Sequence, residues 1–206
     1  MLDNSAASRR RGRPSVLDVH AVALDAYRLW SERGYTTTGW SELAQATGVS
    51  TRTLLRHFPA RSDIAWLGVA PATDRLRTAL EAASADAEIS TTIRRAIVES
   101  VSEDPRVQLL RLHWLRLISS EPELIAEAPI AYRPWIDTLA SYLGRQLPDA
   151  PPAICRALAT AYQAATFAAL IEWADSGASG DSTVAVGDML RWMDIHTDLA
   201  PRATPT

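Results

Sequence analysis

Gly48-Val49-Ser50-Thr51-Arg52-Thr53-Leu54-Leu55-Arg56-His57-Phe58-Pro59 decides how this chain is read, since it is composed as a tight turn followed by a short helix with a cationic, hydroxyl-bearing face. Just upstream, Trp40, Leu43 and Ala44 recur at i, i+3 and i+4. That spacing predicts a one-sided helix with Ser41, Glu42 and Gln45 turned away from the core. Gly48 ends it, because glycine reaches the left-handed backbone region that a tight turn needs. Val49 plugs the turn, Ser50 caps a second helix running to about Phe58, and Leu54 points back at the small Ala44. The spacing Ala44, Gly48, Leu54 is that of a helix-turn-helix. Leu54, Leu55 and Phe58 are the expected buried side of the second helix.

The opposite side has the chemistry of a nucleic-acid reader. Arginine forms bidentate pairs with guanine edges, threonine reaches bases or phosphates, and helix N-termini favour phosphate. The candidate DNA contacts are Arg11, Arg13, Thr38, Ser50, Thr51, Arg52, Thr53, Arg56, His57 and Arg61. An ordinary antiparallel helix pair with a solvated polar face has the same local pattern. Charge distribution favours the first reading. Residues 1–61 hold nine arginines against five acids, and the remainder holds 12 against 19. A basic amino-terminal quarter on an acidic body implies that only the former meets a polyanion. Arg9-Arg10-Arg11-Gly12-Arg13-Pro14 reads as an arm lying along phosphates or in a minor groove, its alternative being a solubilising tail.

Upstream of the motif, Ser15 and Asp18 form a capping box for a first helix. Its residues Val19, Val22, Ala26, Leu29 and Trp30 recur at helical spacing up to a stop at Gly34. Trp30 and Trp40 are expected to pack as core. Past Ile64 the chain is expected to continue as about six helices. The breaks fall at Asp86 to Ser90, Ser102 to Pro105, Ser119 to Pro122, Leu147 to Pro152 and Ser176 to Asp181. A 206-residue chain that is 47% hydrophobic can bury one small and one larger core. The single cysteine, Cys155, excludes an internal disulfide and favours a reducing compartment. The arm's arginines run into an amphipathic helix, so no signal peptide is expected and the cytoplasm is the expected location. Thr160, Tyr162, Gln163 and Thr166 interrupt the most apolar stretch, so no membrane partner is expected.

Two late helices carry an association signal. Ala157, Ala161, Ala164, Ala165 and Ala168 line one side of the helix from Pro152 to Asp175 with small residues that permit close helix packing. Val186, Met189, Leu190 and Met193 form an apolar stripe on the last helix, with Trp192 beside it. Within a monomer both stripes would be core. Elsewhere Trp66, Arg111, His113, Trp114, Leu117, Tyr132, Trp135, Tyr162 and Phe167 supply the aromatic and apolar surface with a few polar points typical of a small-molecule pocket. Arg111 and His113 are placed to hold an anionic group. Cys155 has no nearby histidine in sequence, and paired cysteines, metal-spaced histidines, phosphate loops and serine elbows are missing, so no catalytic site, metal or cofactor is expected.

Taken in order, Arg33-Gly34-Tyr35-Thr36-Thr37-Thr38, Leu43-Ala44, Gly48-Val49-Ser50, Thr53-Leu54 and His57-Phe58-Pro59-Ala60-Arg61 resemble the amino-terminal signature of TetR-family transcriptional regulators over about Val19 to Ile64. The resemblance implies an all-α homodimer: a flexible arm over 1–14, a three-helix DNA-binding head over 15–62, an effector-binding and dimerisation body over 63–198, and a tail over 199–206. It also implies that the last two helices build the dimer interface, and that the chain is a ligand-responsive repressor of a palindromic double-stranded DNA operator. Many relatives have tyrosine where Leu55 stands, lysine at Thr51, and threonine or serine at Gly39, so phosphate anchoring is expected to rest on Arg52, Arg56, Arg61 and the arm. Arg52-Thr53-Leu54, Arg56, Phe58-Pro59, Asp63-Ile64 and Trp66 are similar to the junction of the mycofactocin-type branch, which implies an acyl-CoA-like effector. A sequence-tolerant architectural DNA binder stays open as the alternative, as, more distantly, does a small-molecule-binding helical enzyme.

Overall fold

The computed structural model describes residues 17–84, 86–102 and 105–193, and among these every regular element is a helix. The arm with Arg11 and Arg13, the capping role of Ser15 and the tail over 199–206 lie outside the described residues. Four helices make the head: α1 (Val19–Arg33), α2 (Trp40–Thr47), α3 (Thr51–His57) and the short α4 (Arg61–Ala65). Asp18 is itself the N-cap of α1, its carboxylate accepting from the N–H groups of His20 and Ala21 at 3.1 Å. The aspartate therefore does the capping that the sequence divided between Ser15 and Asp18. Val22, Ala26, Tyr27, Leu29 and Trp30 fill the inner side of α1, and Trp30 meets Tyr35 edge-on with ring centroids 5.0 Å apart.

The turn between α2 and α3 follows the residue logic closely. At the start of α2 the Gly39 N–H donates to the Glu42 carboxylate at 2.9 Å, half of a capping box that needs no side chain on the cap. Gly48 closes α2 with φ +67°, a left-handed conformation that costs other L-residues about 1–2 kcal/mol. Ser50 then accepts from the Thr53 N–H at 3.2 Å, starting α3. Leu43 and Leu54 are fully buried at the crossing, and Phe58 closes the core. Leu55 departs from expectation, being 44% exposed. Successive helical residues are turned about 100° apart, so with Leu54 aimed at α2 its neighbour must face outward.

Seven helices, one more than expected, form the body: α5 (Val69–Glu81), α6 (Ile89–Val101), α7 (Pro105–Ser120), α8 (Pro122–Ala131), α9 (Arg133–Gln146), α10 (Pro152–Asp175) and α11 (Ser182–Arg191). The extra boundary falls at Tyr132, where Pro134 enters the first turn of α9 without an N–H to continue the ladder of α8. α5 packs on α6 and α9, α10 on α7, α9 and α11, and α11 on α6. α10 has 24 residues and a mean hydropathy of 1.3 over its most apolar window, enough by length and composition to cross a membrane. Here its Cys155, Ala159, Tyr162, Thr166, Leu170 and Trp173 turn inward as body core.

The late apolar stripes divide between two fates. Val186 and Leu190 are fully buried against α6 and α10, so they are core and not available to a partner. An i, i+4 apolar pair marks the inward face of a packed helix as well as an association face, and here the body claims it. The outward side of α11 carries Val184 and Trp192, the latter 92% exposed, while Met189 and Met193 sit half-buried between the two sides. On α10 the expected small side is open: Ala157, Ala161, Ala164 and Ala168 are exposed, together with Ile154.

Candidate nucleic-acid interface and ligand cavity

α3 presents its outer side much as its sequence requires. Arg52, Arg56 and His57 are exposed, and Thr51 and Thr53 are half-buried beside them. The Arg56 guanidinium lies 3.4 Å from His57 Nε2, so these two occupy one end of the helix together. The Ser50 hydroxyl is 2.9 Å from that of Thr53, which ties it to the cap. Arg52 stands on the first turn of α3, where backbone N–H groups point outward and anions are favoured.

Two other expected DNA contacts are internal. Thr38 is only 2% exposed, and its hydroxyl donates to the Gly34 carbonyl at 3.1 Å. It pins the loop between α1 and α2, a use of threonine that local sequence does not distinguish from phosphate binding. Arg61 reaches back into the same loop: Nη1 donates to the Tyr35 carbonyl at 2.6 Å and to that of Thr38, with the guanidinium 4.6 Å from the Tyr35 ring centre. The Tyr35 N–H in turn donates to Glu121 Oε1 at 3.3 Å, joining this loop to the body. Burial raises the Tyr35 phenol above its ordinary pKa, with Arg61 opposing.

Behind the head lies a cavity of about 470 Å³ bounded by α1, α5, α7, α10 and the region around Tyr132. Of the residues expected in a pocket, Arg111, Trp114, Tyr132, Trp135 and Phe167 line it. Trp66, His113, Leu117 and Tyr162 do not. Leu117 and Tyr162 are buried core, their α7 and α10 positions pointing at neighbouring helices. Trp66 stands one layer back, edge-on to Trp114 at 6.2 Å and to Tyr132 at 5.7 Å, and Tyr132 continues the aromatic series to Phe167 at 6.2 Å. Burial pushes the Tyr132 phenol far up, with Arg111 opposing, so its hydroxyl remains a proton donor at the wall.

Tyr27, Arg75, Gln163 and Thr166, none of them expected in a pocket, also line the space. Tyr27 looks like head core by periodicity, and it is also that. The signal for Arg75 is its place one turn after Pro71 and Ala72 on the amphipathic α5, a helix with no aromatic residue to draw notice. Two of the wall residues grip the end of α4. Tyr27 Oη donates to the Ile64 carbonyl at 2.9 Å, and Trp114 Nε1 donates to that of Ala65 at 2.6 Å. The cavity wall and the element following the reading helix are thus joined by two direct hydrogen bonds.

Comparison with known proteins agrees with this geometry. The family model described as bacterial regulatory proteins, tetR family, matches residues 25–65, and that of the MftR C-terminal domain matches residues 87–196. Over 137 residues the chain is 23% identical to MftR of Mycobacterium tuberculosis, a protein assigned to transcriptional regulation of mycofactocin biosynthesis, covering 66% of this chain and 69% of that one. The fatty acid degradation regulator FadR of Bacillus halodurans superposes with a TM-score of 0.59 at 15% identity, covering 88% of this chain and 96% of its own. The Thermus thermophilus FadR, a TetR-family transcriptional repressor in complex with lauroyl-CoA, superposes with a TM-score of 0.56 at 18% identity, covering 91% and 99%. At such identities these two share the fold.

Proposed function

Since the chain belongs to the TetR family of bacterial regulatory proteins and carries a C-terminal domain of the MftR type, we propose that it is a ligand-responsive repressor that binds a palindromic operator as a homodimer in the cytoplasm. It is a DNA-binding transcriptional regulator, and the family is one of regulators rather than enzymes. Arg52 is assigned to base reading, with Thr51, Thr53, Arg56 and His57 beside it on bases or phosphates. One seven-residue helix touches too few bases for useful discrimination. Two related by a two-fold axis read both half-sites when they stand about 34–36 Å apart. The exposed alanines of α10, with Ile154, Val184 and Trp192, are the face assigned to pairing, since an apolar surface of that kind is expensive to leave in water.

The observation that carries the ligand response is the double grip on α4. Tyr27 and Trp114 each face the cavity and also hold a carbonyl at the end of α4, the element immediately after the reading helix. An occupant that moves either ring displaces that carbonyl, and with it the angle of the head. A differential affinity worth about 1–3 kcal/mol is the usual scale of such coupling. The cavity falls within the range of about 300–1,000 Å³ typical of small-molecule sites. An acyl-CoA-like effector is supported by lauroyl-CoA in the Thermus protein.

The test has two stages. Selection from a random duplex pool should return a palindrome bound about 10³-fold or more above non-specific DNA at physiological salt. Equal binding to all duplexes would replace the regulator with an architectural binder. Operator affinity should then fall on addition of lauroyl-CoA, and an unchanged affinity would remove acyl-CoA as the effector.

A further inference from the structure

We infer, on the assignment of α3 to base reading, that Leu55 is a specificity-determining residue which reads the C5-methyl group of a thymine in the major groove. Arg52, Leu55 and Arg56 stand at i, i+3 and i+4, which places them on one side of α3, and all three are exposed. Leu54, one position back, is fully buried where α3 crosses α2. The side that carries Leu55 is therefore the one turned away from the head.

Scattered exposed leucines are ordinary on protein surfaces and ask for no partner. Leu55 differs in its setting. Among the described residues of the head it is the one exposed large apolar side chain, at 44%, while Leu17, Val19, Trp40 and Val49 are half-buried and the others buried. It does not join the hydrophobic core, and the arginines on either side of it draw this surface toward a polyanion. Docking on DNA strips water from Leu55 whether or not a complementary group meets it.

The group it meets decides the energetics. Every base presents donors or acceptors in the major groove, and the thymine methyl is the apolar exception. An isobutyl group pressed on a guanine, adenine or cytosine edge covers polar atoms and returns no hydrogen bond, which leaves those atoms unsatisfied. Against a thymine methyl both partners remove apolar surface from water. A phosphate offers leucine nothing, whereas Thr51 and Thr53, half-buried on the flanks, can serve a base or a phosphate. Side chains at i and i+3 of a helix leave it about 5–6 Å apart, so the thymine belongs within about two base pairs of the pair that Arg52 reads.

The test uses the full chain and the operator returned by selection, with each thymine of a half-site replaced by deoxyuridine, one position at a time and in both halves together. Deoxyuridine lacks only the methyl. One position within that reach should lose about tenfold in affinity, about threefold from each half-site. Leu55→Ala should bind the thymine operator about as weakly as the parent chain binds the uracil one, and should distinguish the two by no more than about twofold. Leu55→Met, close in volume, should keep most of the distinction. Cytosine at the same position should bind poorly and recover in part when it carries a 5-methyl group. The inference is overturned if no thymine within reach is sensitive, or if Leu55→Ala is as sensitive as the parent chain, which would give the contact to Thr51 or Thr53. It is equally overturned if Leu55→Ala weakens binding while deoxyuridine does not, the mark of packing on a deoxyribose. A pool that returns no preferred duplex would remove base reading by α3 altogether, whereas a firm palindrome indifferent to the methyl removes Leu55 alone.

Discussion

At the scale of single residues, two arginines that look interchangeable in sequence have opposite surroundings. Arg52 is exposed on the first turn of α3, and Arg61 is spent on the carbonyls of Tyr35 and Thr38. Arg52→Ala is expected to weaken operator binding by about 1–3 kcal/mol and to relax preference at one base position, measured by anisotropy on a panel of single-base operator variants. Equal loss on every sequence would make it a phosphate clamp. Arg61→Ala is expected to lower head stability by about 1–3 kcal/mol, through loss of charged hydrogen bonds to backbone, as seen in denaturant unfolding. The slope of log affinity against log salt should stay as in the parent chain; a slope reduced by about one would return Arg61 to the phosphates. Thr38 and Arg61, expected from the sequence as DNA contacts, are turned to backbone carbonyls instead. A hydroxyl or guanidinium serves a phosphate and a backbone carbonyl equally well: Thr38 takes a carbonyl four positions back, and Arg61 takes two that lie 23 and 26 positions away.

At the scale of elements, the helix-turn-helix was legible because every device in it is local. Gly48, Ser50 and the pair Leu43 and Leu54 act within a dozen residues of one another, so spacing alone carries the information. Gly48→Ala should cost about 1–2 kcal/mol from backbone strain alone, since no atom crowds the new Cβ, and Gly48→Asn should cost less. Comparison of the two in thermal melts checks it, and equal losses would argue for a packing role instead. The body was legible as helices and only in part as a cavity. Trp66 and Tyr162 have the composition of lining residues but face elsewhere, whereas Tyr27 and Arg75 line the space from helices whose patterns read as ordinary amphipathic surfaces. The break at Tyr132 escaped notice for a related reason: Pro134 sits where a helix tolerates proline, so it starts α9 without an obvious loop before it. Coupling belongs at this scale too. Tyr27→Phe, which deletes only the hydroxyl gripping Ile64, should leave ligand binding within a few-fold while reducing the effect of ligand on operator affinity. Full retention of the response would assign transmission to Trp114 alone.

At the scale of the whole molecule, the face assigned to pairing leads to a distinct expectation. Ala164→Glu puts a charge on the exposed side of α10 without disturbing the buried side, so the protein should remain folded by circular dichroism but sediment as a monomer. Operator affinity should fall towards that of a single half-site, and a variant that stays dimeric would move the interface elsewhere. A last consequence follows from α1. It packs on α2 within the head and on α7 within the body, and the same helix that carries Trp30 into one core supplies Ala23 and Tyr27 to the cavity wall. The chain is therefore poorly modular. A fragment ending near residue 65 would expose the side of α1 that α7 covers, and a chimera joining this reader to a foreign sensor would inherit an aromatic socket made for a different ring. Transplants that exchange α1, α4 and α7 as one block are the ones that should retain both recognition and response.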